Sequence, residues 1–182
     1  MASLVFRVDT RSFDRMVAIF DEAGVRLKPA LRRAINHTGD KARTQVARAL
    51  VKQTGLRYGR VRQVMKAHRA GAMLVYRIVA RDGWTSLKEF GARQTLAGVS
   101  AAPWRKRRVF PHTFIVQSLG GHVFERTGSA RYPIKKLWGP AVPAEMVKDQ
   151  TKETFDTFVG AELPARLEYE IRAIFSRQAP EG

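Results

Sequence analysis

The sequence predicts an α+β fold, in which an antiparallel sheet with a β-hairpin packs against one long basic helix and against amphipathic C-terminal helices. Two apolar stripes at helical spacing, in residues 29–52 and 144–176, predict the helices. Short runs rich in β-branched and aromatic residues predict the strands. At 182 residues the chain has the size of a single domain, and we expect one domain over residues 1–182.

The chain begins with a predicted strand and a predicted short helix. Apolar and polar residues alternate between Ser3 and Asp9, as in a half-buried strand. Gly24 is the expected end of the helix. The helix is predicted from an N-cap at Thr10 or Ser12 and from the apolar residues Phe13, Met16, Val17 and Phe20.

The longest predicted helix runs from Pro29, which is tolerated in a first turn, toward Lys52, and Gly55 is its expected stop. Gly39 costs about 1 kcal/mol relative to Ala inside a helix, so a break or a close packing contact is expected there. Its apolar stripe consists of Leu31, Ile35, Thr38, Ala42, Val46 and Ala49, and the cations largely off that stripe are Arg32, Arg33, Lys41, Arg43, Arg48 and Lys52.

Strands are predicted in the middle of the chain. Residues 57–68 are interpreted as a short helix around Val61, and residues 73–80 as a buried strand closed by Asp82-Gly83. Residues 113–118 and 122–127 are predicted to form a hairpin, because Gly120-Gly121 suits the positive φ values of a tight turn.

Between these strands, residues 94–108 are predicted to form a mobile basic loop. Residues 94–103 are rich in Ala, Gly and Ser, and a run of four cations follows Trp104. Loops of this length are usually functional or disordered. Trp104 has two interpretations, a base-stacking side chain and an anchor that packs the loop onto the core, and the second is the more common role of an aromatic residue before a strand.

A C-terminal helical segment is predicted over residues 144–176, after an extended passage marked by Pro133, Pro140 and Pro143. Pro164 lies inside it and predicts a kink or a break, because proline lacks the N–H that would bond to Gly160. The apolar stripe that passes through the proline consists of Phe155, Val159, Leu163, Leu167, Ile171 and Ile174.

The charge of the chain is +17 and is concentrated in its middle. Residues 26–81 hold 15 basic residues and 1 acidic residue, and residues 82–141 hold 10 and 3, whereas both ends are mildly acidic. Such a distribution predicts an electropositive face that attracts nucleic-acid phosphates or an acidic protein surface. The predicted contact residues are Arg105, Lys106, Arg107, Arg108, Arg131, Lys135, Lys136, Arg32, Arg33, Arg43 and Arg48.

Signals for catalysis and for cofactors are missing from the sequence. The chain has no cysteine, which excludes thiolate metal centres, disulfides and thiol nucleophiles. The four histidines, at 37, 68, 112 and 122, lack metal-ligand spacing, and no nucleophile elbow, phosphate-binding loop or dinucleotide fingerprint occurs. We therefore expect no enzyme activity, no metal and no cofactor.

The sequence also predicts no membrane partner. The longest uncharged run covers 16 residues, 109–124, whereas a membrane span needs about 20 mostly apolar residues. The first residues reach Arg7 before the apolar region of a signal peptide could develop. We expect the protein to be made in the cytoplasm.

Several segments together resemble the phage minor tail protein Z family, the tail completion proteins of lambda-like siphophages. The resemblance spans about residues 29–175. It rests, in order, on Ala30-Leu-Arg-Arg-Ala-Ile-Asn, Phe114-Ile115, Arg131-Tyr132-Pro133-Ile134, Ala141-Val142-Pro143, and Leu163-Pro164 with Leu167 and Tyr169.

This resemblance implies a structural protein of the virion at the head-proximal end of the tail, the neck, which assists tail maturation and head–tail joining. The implied partners are further copies in a ring, expected to be hexameric, together with the tail terminator, the tail tube and head–tail connector proteins. The resemblance also implies an influence on the position of the genome end. Within this picture the basic middle of the chain faces one of two partners, the genomic DNA in the channel or an acidic neighbouring ring.

Two other classes of function remain open from the residues alone. A free-standing nucleic-acid-binding protein is favoured by the charge of +17, although no recognition motif accompanies it. A metal-dependent nuclease or other hydrolase would have to use the central carboxylates of Asp82, Glu89 and Glu125.

Overall fold

In a computed structural model, residues 2–7 and 27–178 are described, with side chains for residues 2–5 and 27–176. The helix predicted from Phe13, Met16, Val17 and Phe20 lies outside the described residues. The helices are α1 (Leu27–Thr54), α2 (Tyr58–Val64), α3 (Val142–Met146) and α4 (Asp149–Gln178). The strands are β1 (Ala2–Arg7), β2 (Met65–His68), β3 (Val75–Ala80), β4 (Arg93–Thr95), β5 (Gly98–Ala101), β6 (Arg108–Pro111), β7 (Thr113–Val116), β8 (His122–Arg126) and β9 (Ile134–Lys136).

The described strands form antiparallel sheets of three strands each. Their orders are β1-β3-β2, β4-β5-β6 and β7-β8-β9. In the first sheet Leu4 lies opposite Ile78, and both side chains are buried. The predicted α+β class is therefore confirmed, with three small antiparallel sheets beside the helices.

Helix α1 forms the centre of the core, and its predicted stripe is confirmed. All six stripe residues are buried, and Ile35 and Val46 are fully enclosed. At Gly39 the helix is unbroken, and a Cβ there would lie 2.4 Å from the ring of Tyr76. Of the two expected alternatives at Gly39, a helix break and a close packing contact, the structure shows the packing contact. The predicted stop is also confirmed, because Gly55 has a φ of +81° and its N–H donates to the Val51 carbonyl.

Helix α4 packs along α1 and completes the helical layer. Phe155 is buried, and the other residues of the predicted stripe are partly buried against the core. A single helix contains Pro164, so the predicted break does not occur. Pro143 lies in the first turn of α3, where a missing N–H costs little.

The structure corrects the sequence prediction at residues 65–68. This stretch was assigned to the end of a helix, but it forms strand β2, which pairs with β3 from Met65 opposite Ala80 to His68 opposite Arg77. The hydrogen bonds of the ladder replace those of a helix once the chain reaches the edge of the sheet.

The structure also differs from the predicted loop over residues 94–108. Strands β4 and β5 pair here, β6 begins at Arg108, and Val99 and Ala101 of β5 are fully buried. Trp104 is 40% exposed, and the neighbouring Pro103 is the buried residue. Trp104 is thus not the predicted anchor. The mobility of this segment stays a prediction.

The hairpin of β7 and β8 is confirmed around Gly120 and Gly121, whose φ values are +75° and +69°.

Among the described helices, none combines the length and the apolar character that a membrane crossing requires.

Candidate basic interface

The predicted contact residues lie on three separate parts of the described structure. One group surrounds the last turns of α1, a second lies at residues 32–43 of α1, and a third lies on or beside the sheet of β7, β8 and β9. Their surroundings differ in charge and in hydrogen bonding, so each group is described by itself.

A cleft of about 460 Å³ lies between the C-terminal half of α1, the turn Pro103–Arg105 and the first turns of α4. We call it the basic cleft. Its charged lining residues are Arg48, Lys52 and Arg105, and Tyr58 contributes a 43% exposed side chain. The described lining contains no carboxylate, and its other members are Gln45, Ala49, Val51, Gln150 and Thr154.

Arg105 reaches this cleft because the chain turns sharply over the end of α1. The backbone N of Arg105 lies 3.1 Å from the position that a Cβ on residue 55 would occupy, so glycine at position 55 permits the close approach. Trp104 and Arg105 have φ values of +52° and +58°, a conformation that non-glycine residues rarely adopt. The Nε of Arg105 donates to the Val51 carbonyl at 3.3 Å, which fixes the direction of the guanidinium group.

The other cations of the run from Arg105 to Arg108 point elsewhere. Arg107 donates to the Ser100 hydroxyl at 3.2 Å and to the Gly91 carbonyl at 3.4 Å. The Arg108 guanidinium lies 4.6 Å from the ring centre of Phe110. Lys106 is exposed. The four cations are consecutive in sequence, but their side chains have different surroundings in the structure.

Two of the four cations described at residues 32–43 of α1 pair with carboxylates of α4. Arg33 contacts Glu170 at 2.7 Å, and Lys41 forms an ion pair with Glu162. Arg43 is half-buried and donates to the Met65 carbonyl at 3.1 Å. Arg32 is exposed beside a groove of about 730 Å³. Since most of these cations stabilise the fold, the basic helix is not one uniform contact surface.

Nearby cations lower the pKa values of two carboxylates on α4, Glu162 and Glu170. A hydrogen bond from Lys41 lowers the pKa of Glu162. Burial raises the pKa of Glu170, but hydrogen bonds from Arg33 and Arg166 outweigh burial and leave this pKa below its ordinary value. Both groups are therefore held in the charged form that the cations require.

The third group lies on the sheet of β7, β8 and β9, where cations stand against aromatic rings. The Lys136 ammonium lies 4.3 Å from the ring centre of Trp138, and the Arg131 guanidinium 5.7 Å from that of Tyr132. Both aromatic side chains are about half exposed or more. Lys135 is exposed and lies opposite Glu125 in the ladder. This surface offers charge and aromatic area together, as protein interfaces do.

The carboxylates and histidines considered for catalysis or metal binding either lie apart from one another or already contact other side chains. Asp82 contacts Arg60 at 2.6 Å. Among residues 2–7 and 27–178, no three potential ligands from His, Asp and Glu come together around a metal-sized space. Burial, followed by Arg166 and Lys41, lowers the pKa of His37, and burial, followed by Lys136 and Lys88, lowers that of His122.

The predicted contact set lacks the third cation of the basic cleft, Lys52, and its aromatic residue, Tyr58. Lys52 follows Arg48 by four residues and so shares its helix face, a signal that could have identified it. Tyr58 carried no such signal, because its exposure depends on how α2 is placed after Gly55.

Comparison with known families gives one finding over most of the chain. The family model described as prophage minor tail protein Z (GPZ) matches residues 25–177. The chain matches no curated protein and no solved structure.

Proposed function

The chain belongs to the prophage minor tail protein Z family, and from this membership we propose that it is a tail completion protein at the head-proximal end of the tail. As a member of this family it is a structural protein of a phage tail that assembles with other virion proteins. In the proposed role it assists tail maturation and the joining of tails to heads. The observation that carries the proposal is the extent of the match, which includes both long helices and all but the first described strand.

The described surface supports a role in assembly. Several large apolar side chains are exposed, among them Trp84 at 65%, Leu96 at 110% and Tyr132 at 65%. Exposed apolar groups near cations are common where proteins bind one another. We propose that such surfaces join copies of the chain in a ring, of hexameric order, and bind the tail terminator, the tail tube and the head–tail connector.

Within this proposal the protein works by binding and not by catalysis. The basic surfaces, including Arg48 and Arg105 in the cleft and Arg131 and Lys136 on the sheet, hold a neighbouring acidic surface or the end of the genome in the channel. Electrostatic attraction of this kind speeds and orients association.

A joining assay tests this function. Tails from an infection that lacks the gene are mixed with filled heads, and purified full-length protein is added before infectious particles are counted. We expect joining to depend on the added protein. If tails made without it join equally well, the proposal is wrong. Tight binding of the isolated protein to duplex DNA in that case would favour a free-standing nucleic-acid-binding protein instead.

A further inference from the structure

We propose that the basic cleft is a socket for an acidic segment of a neighbouring protein in the tail. The proposal rests on the proposed function, because it assumes that the chain assembles with other virion proteins, and it adds the chemistry of one contact. The socket consists of Arg48, Lys52 and Arg105, with Tyr58 at its edge.

The charge balance inside the basic cleft is the first argument. Three cations line one cavity of about 460 Å³, and none of them forms an ion pair with a described carboxylate. Like charges that converge without a counter-charge repel one another. A bound carboxylate removes this repulsion and accepts charge-assisted hydrogen bonds from the guanidinium groups.

Several cations elsewhere in the described chain are paired with carboxylates. Arg33 and Lys41 contact carboxylates of α4, and Arg69 contacts Asp40 at 2.6 Å. The ion pairs that α1 forms within the described chain therefore lie at residues 33–41 and end before Arg48. Beyond Arg43, the helix residues Arg48 and Lys52 form no ion pair with a described carboxylate, so their charge is available to a partner.

The shape and polarity of the basic cleft favour a protein segment over DNA. A protein that binds along a DNA backbone contacts its phosphates with a row of cations. On α1 such a row is interrupted, because Arg33 and Lys41 pair with carboxylates of α4. The cleft is concave, and its lining includes two apolar residues, Ala49, which is buried, and Val51, which is partly buried. Gln45, Gln150 and Thr154 add directional polar groups, which suit side chains and peptide groups.

The backbone at Arg105 supports a binding role. Trp104 and Arg105 both have positive φ values, and strained backbone of this kind concentrates at ligand-binding sites. The turn is held by the Lys106 N–H, which donates to the Pro103 carbonyl at 3.1 Å. The arrangement fixes the Arg105 side chain before any partner arrives, which lowers the entropic cost of binding.

The first test measures binding of a hexaglutamate peptide to the purified full-length protein by titration calorimetry. Arg48→Gln and Arg105→Gln alter the basic cleft, and Arg93→Gln, on the exposed strand β4, removes the same charge elsewhere. We expect each cleft variant to weaken peptide binding at least tenfold and the control to change it less than twofold. Equal losses in all three variants would show general attraction to a basic protein and overturn the proposal.

A DNA arm separates the two classes of partner. The same variants are titrated with a 12-nucleotide single strand in place of the peptide. We expect the cleft variants and the control to lose DNA affinity alike. A loss that is confined to the cleft variants with DNA, and absent with the peptide, would assign the cleft to nucleic acid and contradict the proposal.

A test in assembled particles identifies the partner. A carbodiimide joins a lysine amine to a carboxylate in direct contact, with loss of water, and mass spectrometry reads the joined residues. We expect Lys52 to be linked to an Asp or Glu of another chain, and Lys52→Arg, which keeps the charge, to abolish that link. A Lys52 linked only within its own chain, or left unlinked, would contradict the socket. The peptide titration does not depend on particles, so a failed joining assay and a failed socket remain distinguishable.

Discussion

Gly39 in the middle of α1 lies directly beneath the aromatic ring of Tyr76, so that a Cβ at position 39 would lie 2.4 Å from the ring carbons Cγ and Cδ2. The Tyr76 ring is fully buried, and its hydroxyl donates to Asp40 Oδ1 at 2.7 Å. Burial, followed by the hydrogen bond to Asp40, raises the pKa of Tyr76. Helix α1 and the central strand β3 therefore meet at a contact that only glycine permits.

The first prediction concerns this contact. In an open helix Gly→Ala stabilises by about 1 kcal/mol, but Gly39→Ala forces the buried ring to move. We expect Gly39→Ala to lower the free energy of unfolding by about 1–3 kcal/mol, measured by urea denaturation. Gly160→Ala on α4 is the matched control, because a Cβ there meets nothing within 4 Å. Equal stability changes in the two variants would contradict the packing account.

The second prediction concerns the packing of α4 on α1. Leu167 is partly buried against the core, whereas Ala161 on the same helix is exposed. Because Leu167→Asp places a charge in an apolar contact, we expect it to lower the free energy of unfolding by roughly 2–4 kcal/mol. Ala161→Asp should lower it by less than about 1 kcal/mol, which is the loss of helix propensity at an exposed position. A thermal melt of both proteins decides, and a Leu167→Asp protein as stable as the control would show that α4 is not held by its stripe.

The third prediction concerns Glu170, a buried carboxylate that contacts Arg33 at 2.7 Å and Arg166 at 2.6 Å. We expect Glu170→Gln to lower the free energy of unfolding by about 1–3 kcal/mol, because two charge-assisted hydrogen bonds are weakened. Since the pKa of Glu170 is lowered in the folded state, its contribution is present above the ordinary value of 4.5 and is lost as the pH falls through the folded pKa.

The control for this variant is Glu168→Gln, which removes an exposed carboxylate paired with Arg172. Exposed pairs contribute about 0–1 kcal/mol, so this change should be small. Denaturation curves for both variants at pH 7 and at pH 3 compare them. A Glu170→Gln protein that keeps the full acid sensitivity of the wild type would rule out a role for this carboxylate.

The fourth prediction concerns two partly buried histidines, His37 and His122. The pKa values of His37 and His122 are lowered in the folded state, and the His122 ring lies 2.8 Å from the Ser86 hydroxyl through Nδ1. The unfolded chain takes up these protons first as the pH falls below 6.5. We therefore expect the free energy of unfolding to decrease on acidification from about pH 7, by at most about 1.4 kcal/mol per pH unit for each histidine.

The double variant His37→Gln, His122→Gln isolates this effect. Its free energy of unfolding should vary less than that of the wild type between pH 7 and pH 5. His112→Gln is the control, because His112 is exposed. A wild-type profile that is flat across this window would contradict the partly buried positions of both rings.

The sequence is most informative where local pattern and packing agree. On α1 the spacing from Leu31 to Ala49 places every stripe residue in the core, and Gly55 ends the helix through a positive φ. The hairpin at Gly120 is found for the same reason, because a glycine pair is what the turn requires. In these elements each residue contributes to the structure that its neighbours favour.

Prediction fails where pairing with distant segments decides. All three residues of β4 are exposed, so no alternation marks it as a strand, and only its ladder with β5 orders it. Strand β2 also depends on pairing with a distant segment. The chain stops being helical before Met65, and Met65 pairs with Ala80. Such strands depend on tertiary contacts more than on propensity.

In the candidate site, some features are predictable from the sequence and others depend on contacts between distant segments. Arg48 and Arg105 are each identified by charge, but they are far apart in sequence, and only the turn over Gly55 brings them into one cleft. Arg33 and Arg43 have the same charge, yet contacts with Glu170 and with the Met65 carbonyl engage them. Composition reveals the excess of charge, and only the fold determines which cations are already paired.

Electron microscopy of tails assembled with and without the protein tests the central claim most directly. We predict density for the protein as a ring at the head-proximal end of the tail, and tails without it that fail to join filled heads. Complete, infectious particles that lack the protein, or density at the opposite end of the tail, would contradict a role in tail completion.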